Sequence, residues 1–303
     1  MIIIKVKLFT HTDLDGVGCA IIAKLGFGKN VDIEYCDYDN INEKVANYIT
    51  SKDYINHGTT FITDISVNEQ VAEMIDKIHL IKEFMLIDHH KTALWLNKYE
   101  WTWISEYHNE GIKSSGTTMF YQSISHYKHV LFVDNFIESV RRYDTWEWKD
   151  KFNDIIPKQI NDLMYILGRD IFIEDVIYQL ENNLEYKISQ QNIELLNRNQ
   201  EKINRYIESK DKTIIIKEIQ GYQAGVVFAE QYSSELGNKL ATIHPELDFI
   251  AIINPQHSVS YRTIKDIDLS VIAKIYGGGG HPKASGSPIN DDMRKNIIDL
   301  VFS

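Results

Sequence analysis

The 303-residue chain is poor in cysteine, with only Cys19 and Cys36. That scarcity excludes a disulfide framework and a cysteine-rich zinc site. Cys19 sits in an apolar helical pattern and reads as a packing residue. Positive charge is not in surplus either: Lys and Arg number 32 against 43 Asp and Glu, a formal net charge of −11. Proteins that coat long nucleic acid neutralise phosphates with clustered Lys and Arg, so a long duplex is not an expected partner. A short phosphate substrate gripped through metal ions stays open. Long hydrophobic runs are also missing. The N-terminal MIIIKVKLFT is apolar but short and interrupted by Lys5 and Lys7, unlike a signal peptide or a spanning helix. No later run reaches the ~20 apolar residues that a span needs. A cytoplasmic protein without membrane contact is expected. There is no internal repeat and no low-complexity segment.

What is present is enough apolar residue, 44%, to bury a substantial core over this length, with two domains as the prior. Ile2–Phe9, Val31–Cys36, Thr59–Thr63, Phe84–Ile87 and Tyr99–Ile104 read as strands. Helical patterns alternate with them at Val17–Leu25 and Val67–Ile78, the second with Ser66 as a cap. Alternation at these intervals implies right-handed crossovers and a mainly parallel, doubly wound α/β sheet. Helices are expected at Met119–Tyr127 and Leu131–Arg142, and a long amphipathic pattern runs through Asp170–Lys210 as a connector. The composition then shifts. Thr213–Ile219 with Ala224–Ala229, and Phe249–Ile253 with Ser258–Ile264, read as hairpins of a smaller C-terminal α/β domain with a mixed sheet. Helices are expected there at Gln231–Leu240 and Leu269–Tyr276.

Chemistry-bearing residues gather at the strand ends. MLIDHHKT runs from an apolar strand into Asp88-His89-His90, which in a parallel sheet places carboxylate and imidazole at the carboxyl edge. The first strand delivers His11-Thr12-Asp13-Leu14-Asp15-Gly16, whose His11, Asp13 and Asp15 share one face if the chain stays extended. Gly16 and Gly18 would then turn the backbone into the helix. Asp15 alone would also serve as a helix cap, though that leaves its two neighbours unexplained. With Asp64, His89 and Asp144, the N-terminal part offers six candidate ligands. Oxygen and imidazole donors without thiolate suit Mn²⁺, or Mg²⁺ as the harder alternative. Four carboxylates formally balance two divalent cations, as in centres whose ions lie about 3.5–4 Å apart and hold a bridging water.

The ordered set HTDLDG at 11–16, TD at 63–64, DHH at 88–90, YD at 143–144 and GGGGHPKASG at 277–286 resembles the DHH phosphoesterase family with its DHH-associated C-terminal domain. The resemblance spans nearly the whole chain and implies three parts: a catalytic domain at 1–170, a helical connector at 171–211 and a substrate-binding domain at 212–303. It implies one Mn²⁺ on His11, Asp13 and Asp64 and a second on Asp15, Asp64, His89 and Asp144. His90 would face the scissile phosphate, and Asp88 would orient a ligating histidine. Gly278, Gly279, Gly280 and His281, with Ser260 and Arg262 of Ser260-Tyr261-Arg262, would bind the substrate away from the metals. Gly277 alone would satisfy the alternative, a glycine-capped helix end. The family often carries His-x-x-Ala-Ala-Gly where this chain has His281-Pro282-Lys283-Ala284-Ser285-Gly286, which puts fine substrate preference in question.

The expected activity is hydrolysis of short oligonucleotides, RNA first, to nucleoside 5′-monophosphates, as in nano-RNases. The alternative within the same chemistry is a phosphodiesterase for cyclic di-AMP or a linear dinucleotide. Further off stand a pyrophosphatase and a non-catalytic nucleotide sensor. The expected partner is a short oligonucleotide or dinucleotide, with a homodimer left open.

Overall fold

The computed structural model describes residues 5–109, 111–125, 133–182 and 184–302. The chain forms two compact units, Met1–Leu196 and Asn197–Ser303. The first contains β1 (Val6–His11), α1 (Leu14–Phe27), β2 (Val31–Cys36), α2 (Ile41–Thr50), β3 (Thr59–Thr63), α3 (Glu69–Asp76), β4 (Glu83–Asp88) and β5 (Thr102–Ile104). A small antiparallel pair follows, β6 (Tyr107–Asn109) and β7 (Ile112–Lys113), then α4 (Gly116–Ile124), α5 (Asp134–Asp144), α6 (Glu147–Asp150), α7 (Ile156–Leu167) and α8 (Arg169–Glu181). The helix α9 (Gln190–Asp211) crosses the boundary between the units.

The main sheet is parallel throughout, in the order β2-β1-β3-β4-β5. The period-two alternation of its strands feeds two cores. Leu8, Phe61 and Ile87 pack on one face with Val17, Phe120 and Phe136, whereas Phe9, Ile62 and Leu86 pack on the other with Val45, Val71 and Ile75. α1 is enclosed by the sheet and by α4, α5 and α8, so Leu14–Ala23 are all buried. That explains why its sequence lacks a polar face. The strand order reverses between β1 and β3, which opens a crevice at their carboxyl ends.

Several boundaries differ from the sequence reading. Residues 2–4 of the first expected strand, 126–127 of the helix at Met119–Tyr127 and 131–132 of the helix at Leu131–Arg142 lie outside the described residues. Ser66 does not cap α3. Asn68 does, accepting from the Val71 N–H at 3.0 Å. Only Thr102–Ile104 of the Tyr99–Ile104 stretch is strand. The Asp170–Lys210 pattern is two helices, not one: α8 ends with Asn182 as its cap, and Tyr186 turns back into the first core beside Phe136 and Phe172. Further along, Ile203 and Ile207 on α9 belong to the second unit's core. The stretch 171–211 thus gives α8 and Tyr186 to the first unit and most of α9 to the second.

The second unit contains β8 (Ile215–Ile219), β9 (Tyr222–Phe228), α10 (Ser233–Ile243), β10 (Phe249–Asn254), β11 (Ser258–Arg262), α11 (Leu269–Ile275), β12 (Gly279–His281), β13 (Ala284–Pro288) and α12 (Asp291–Val301). Its sheet runs β12-β13-β11-β10-β9-β8, and only β9 and β10, joined through α10, are parallel. Gln220 and Gly221 both take positive φ, 54° and 82°, as the tight β8–β9 hairpin turn requires. Among the described residues, no helix is long and apolar enough to cross a membrane.

Candidate metal centre

Four segments of the first unit bring their polar residues to the carboxyl edge of the parallel sheet. His11 ends β1, and Asp13 caps α1 by accepting from the Gly16 N–H at 3.1 Å. Asp64 follows β3, Asp88 ends β4 with His89 and His90 next, and Asp144 is the last residue of α5. Asp15 is not extended alongside Asp13, because the helix has already begun at Leu14; it points inward from the first turn and is 2% exposed. Gly16 and Gly18 also lie inside α1 and make no turn. Gly16 is required because a Cβ there would sit 2.2 Å from the His11 carbonyl oxygen, and Gly18 because one would meet Thr117 Oγ1 at 2.2 Å.

Three donor groups result, each with ligand atoms within 4.8 Å of one another: His11, Asp13 and Asp64; Asp15, His89 and Asp144; and Asp64, Asp88, His89 and His90. Asp64 belongs to the first and third of these and borders the second through His89. Its Oδ2 is 3.9 Å from His11 Nδ1, and its Oδ1 is 3.2 Å from His89 Nε2. His89 Nε2 is also 3.5 Å from both Asp15 Oδ2 and Asp144 Oδ2. Asp64 takes a left-handed backbone, φ 59°, a strained state held by its N–H bond to the Ile87 carbonyl at 3.0 Å. His11 Nδ1 approaches Asp13 Oδ2 at 3.0 Å, but the two are not aligned for a hydrogen bond. His11 Nδ1 and Asp64 Oδ2 are both buried without a hydrogen-bond partner. Buried polar atoms are ordinarily satisfied. Two such acceptor-capable atoms facing each other across a carboxylate-rich gap fit a divalent cation of the oxygen- and nitrogen-binding kind.

The electrostatics point the same way. Burial, followed by the Asp15, Asp13 and Asp144 carboxylates, pushes Asp64 well above the usual carboxylate range. Burial, then Asp15 and Asp13, raises Asp144 to about 8. Crowding of this kind needs positive charge to relieve it. Burial lowers His89, keeping its ring neutral and free to donate a lone pair. Asp13 is the exception: burial would raise it, but neighbouring His11 and the Gly16 amide hold it low.

Asp88 contacts both histidines that follow it. Its Oδ1 accepts from the His89 and His90 backbone amides at 2.7 and 3.2 Å and meets His90 Nδ1 at 2.7 Å. The imidazole it orients is thus His90, because the turn after β4 swings that ring back over the carboxylate. The hydrogen bond to Asp88 raises His90 to about 9, so the ring is cationic at neutral pH. Burial would raise Asp88, but His90 and then Ser66, whose Oγ donates to Asp88 Oδ2 at 2.5 Å, hold it below the usual range.

Three positioning residues escaped the sequence reading. The Gly116 and Thr117 amides at the start of α4 both donate to the Asp15 carboxylate, the latter at 2.9 Å, and Thr117 Oγ1 donates to the Asp15 carbonyl at 2.7 Å. A helix N-terminus is a natural seat for a carboxylate. Ser66 is the third. The signal available for the first two was Ser-Ser-Gly-Thr-Thr ahead of an apolar helix; for Ser66 there was none.

In the second unit, strand register aligns Arg262 with Ala284 and His281, and Ser260 with Gly286 and Gly279. Ser260, Arg262, Gly279 and His281 therefore share one sheet face, the face that α10 partly covers. Arg262 is half-buried against Gly237, with Nη1 donating to the Tyr261 carbonyl at 2.9 Å and Nη2 to Ser234 Oγ at 3.3 Å. The glycine stretch is not a free loop. Gly277 ends α11 with φ 76°, and β12 begins at Gly279. A Cβ on Gly278 would lie 2.0 Å from the Gly286 carbonyl oxygen, and one on Gly280 2.7 Å from Ser285 Cα. Close strand approach to β13 accounts for those two glycines.

No family model matches the chain. Over 302 residues it is 40% identical to the oligoribonuclease NrnB of Bacillus subtilis, a match covering 97% of this chain and 75% of that protein. The chain belongs to the DHH phosphoesterase family. The fold agrees with solved DHH phosphoesterases. A pGpG-specific phosphodiesterase, PggH from Vibrio cholerae, superposes with a TM-score of 0.54 at 12% identity, over 98% of this chain and 97% of that one. RecJ from Thermus thermophilus, solved in complex with Mn²⁺, gives a TM-score of 0.54 at 11% identity, over 98% of this chain and 51% of RecJ. DHH membership makes the chain a hydrolytic phosphoesterase.

Proposed function

We propose that this DHH phosphoesterase hydrolyses phosphodiester bonds of short oligoribonucleotides, releasing nucleoside 5′-monophosphates, and that it works with two divalent cations, Mn²⁺ foremost. The observation that carries the reading is the set of donor groups around Asp64, with its unpartnered Oδ2 facing His11 Nδ1. His11, Asp13 and Asp64 would hold one cation; Asp15, Asp64, His89 and Asp144 the other. Bound there, the cations would polarise the phosphoryl oxygens and make a water acidic enough to attack near neutral pH. The rest of the chemistry belongs to the chain. His90, kept charged by Asp88, stands 4.3 Å from the His89 ring between centroids, and it can stabilise charge on a phosphoryl oxygen or protonate the leaving 3′-oxygen. Gly116 and Thr117 hold the Asp15 carboxylate aimed at the centre. Arg262, Ser260 and His281 offer a cation, a hydroxyl and an imidazole on one face of the second unit for another phosphate or a base of the substrate. The net charge of −11 favours a short substrate over long strands. NrnB is an oligoribonuclease by name, and a phosphodiesterase for a linear dinucleotide shares the fold, which supports this choice of substrate class.

The test is Mn²⁺-dependent turnover of 5′-phosphorylated diadenylate, a longer oligoribonucleotide and cyclic di-AMP, side by side. Loss of the linear substrates with the ring spared is the expected result. Preferential opening of cyclic di-AMP would overturn the substrate assignment. An Asp13→Ala variant that kept full activity would overturn the assignment of the first cation site.

A further inference from the structure

Trp146 is a feature that the metal centre leaves unused. It follows Asp144 by two residues and takes a left-handed backbone, φ 61°. For a bulky residue that conformation is an outlier, and it persists only where the surroundings impose it. Here they do. The buried Arg141 guanidinium is clamped at 2.7 Å by both Glu138 and Glu147, on either side of the turn. Thr145 Oγ1 bonds the Arg141 carbonyl at 2.8 Å, and the Trp146 N–H bonds the Tyr143 carbonyl at 3.1 Å. The outcome is an indole 57% exposed. It stacks on Trp148, with centroids 6.0 Å apart and planes at 30°, and Trp148 stacks on Tyr143 at 6.5 Å and 20°. Three rings thus form a rough ladder whose outermost rung is Trp146.

That rung borders a pocket of about 240 Å³ which Trp146 shares with Glu106, Tyr107, Lys113, Ser114 and two residues of the donor groups, His89 and Asp144. Tyr107 is 51% exposed. The Ser114 hydroxyl is buried without a hydrogen-bond partner, a polar group left for something else to satisfy. Aromatic faces, an unpaired hydroxyl and a lysine, in one pocket continuous with a phosphate-hydrolysing centre, match the chemistry of a nucleotide: a base to stack, an edge to bond and a phosphate to neutralise.

We infer that this pocket is a nucleobase subsite of the first unit, in which Trp146 and Tyr107 stack the base of the nucleotide attached to the scissile phosphate and Ser114 bonds its edge. The inference rests on the phosphodiesterase reading above and adds where that nucleotide is recognised. Strain at residue 146 is then part of the design, holding the indole out of the core and beside the reacting phosphate. Stacking tolerates any base, so the subsite grips nucleotides without reading their sequence, and purines, with the larger faces, bind best.

The test uses adenosine 5′-monophosphate and ribose 5-phosphate, which differ by the base alone, titrated calorimetrically into the full chain with saturating Mn²⁺. The wild type should prefer the nucleotide. Trp146→Gly, which relieves the backbone, should melt no lower than the wild type and lose roughly 5- to 150-fold in affinity for the nucleotide, while its ribose 5-phosphate affinity stays put. Trp146→Phe should keep most of the preference, and Tyr107→Ala should lose part of it. Equal weakening of both ligands by Trp146→Gly, or of neither, would overturn the subsite, as would a wild type with no preference for the base. A wild type that bound the nucleotide in this way but failed to cleave diadenylate would overturn the activity and leave the subsite standing.

Discussion

Replacing Gly116 with alanine tests how closely the centre is built. A Cβ at this position would lie 2.6 Å from Asp64 Cβ and 3.1 Å from both Asp64 Cα and Asp15 Oδ2. Carbon atoms in ordinary contact stand ~3.5–4.0 Å apart, so about 1 Å must be found. Asp64 cannot supply it easily, because it is the shared donor, is 1% exposed and is pinned through its N–H to the Ile87 carbonyl. The first turn of α4 gives way instead and carries the Gly116 and Thr117 amides off the Asp15 carboxylate. Overpacking of this kind costs about 1–3 kcal/mol, which a domain of this size survives. Displacing a positioned group by about 1 Å costs on the order of 100-fold in rate. Gly116→Ala should therefore unfold in urea as a cooperative but weakened protein, bind Mn²⁺ less tightly and lose about two orders of magnitude in kcat/KM on diadenylate. A variant within threefold of wild type in kcat/KM, with unchanged Mn²⁺ affinity, would refute the reasoning.

Two further outcomes follow from the charges. Asp144, raised to about 8, and Asp64, raised in the same direction, have folded pKa values above the ~3.9 of an unfolded aspartate. Their contribution to stability is complete below the unfolded value and is lost as pH climbs through the folded one, at up to ~1.4 kcal/mol per pH unit for each group. Metal-free protein should accordingly melt lower at pH 8 than at pH 6, and saturating Mn²⁺ should cancel the difference; calorimetry with a chelator and with Mn²⁺ that showed the opposite slope would count against the crowded-carboxylate account. Arg141→Ala, by removing a cation whose side chain is 3% exposed, leaves the Glu147 carboxylate, itself 12% exposed, with only the longer 3.6 Å contact to the exposed Lys151. A loss of roughly 3–5 kcal/mol in urea unfolding is expected, and one below 1 kcal/mol would show that the turn before Trp146 is held by other contacts.

Much of this architecture could be read in the chain because strand periodicity and strand-end chemistry are local. His11, Asp13, Asp64 and His89 each follow an apolar run that had to be a strand, and a parallel sheet sends every such end to one edge. Asp144 was different. It closes a helix, so the strand-end argument did not reach it, and its place in the ordered set of motifs gave it its role. The long-range hydrogen bonds had no local signature: Asp15 finds its donors about a hundred residues away, at Gly116 and Thr117, and Ser66 reaches across to Asp88. Gly16 and Gly18 were visible, but their reason, contact with His11 and Thr117, was not. The break after α8 was hidden because Leu184 and Ile188 keep helical spacing with Leu180, while Tyr186 has a better home in the core.

A sheet with all its strands parallel divides its connections into two classes. Turns from strand to helix carry the donors, whereas turns from helix to strand, at 28–30, 51–58 and 77–82, come out at the far edge. Leu80 and Ile81 there are 84% and 78% exposed. Mutational tolerance should be split along the same line, with the carboxyl edge intolerant and the amino edge free to drift. For protein engineering the amino edge is the handle: a fluorophore, an affinity tag or a surface tether placed in its turns sits a full strand length from the chemistry.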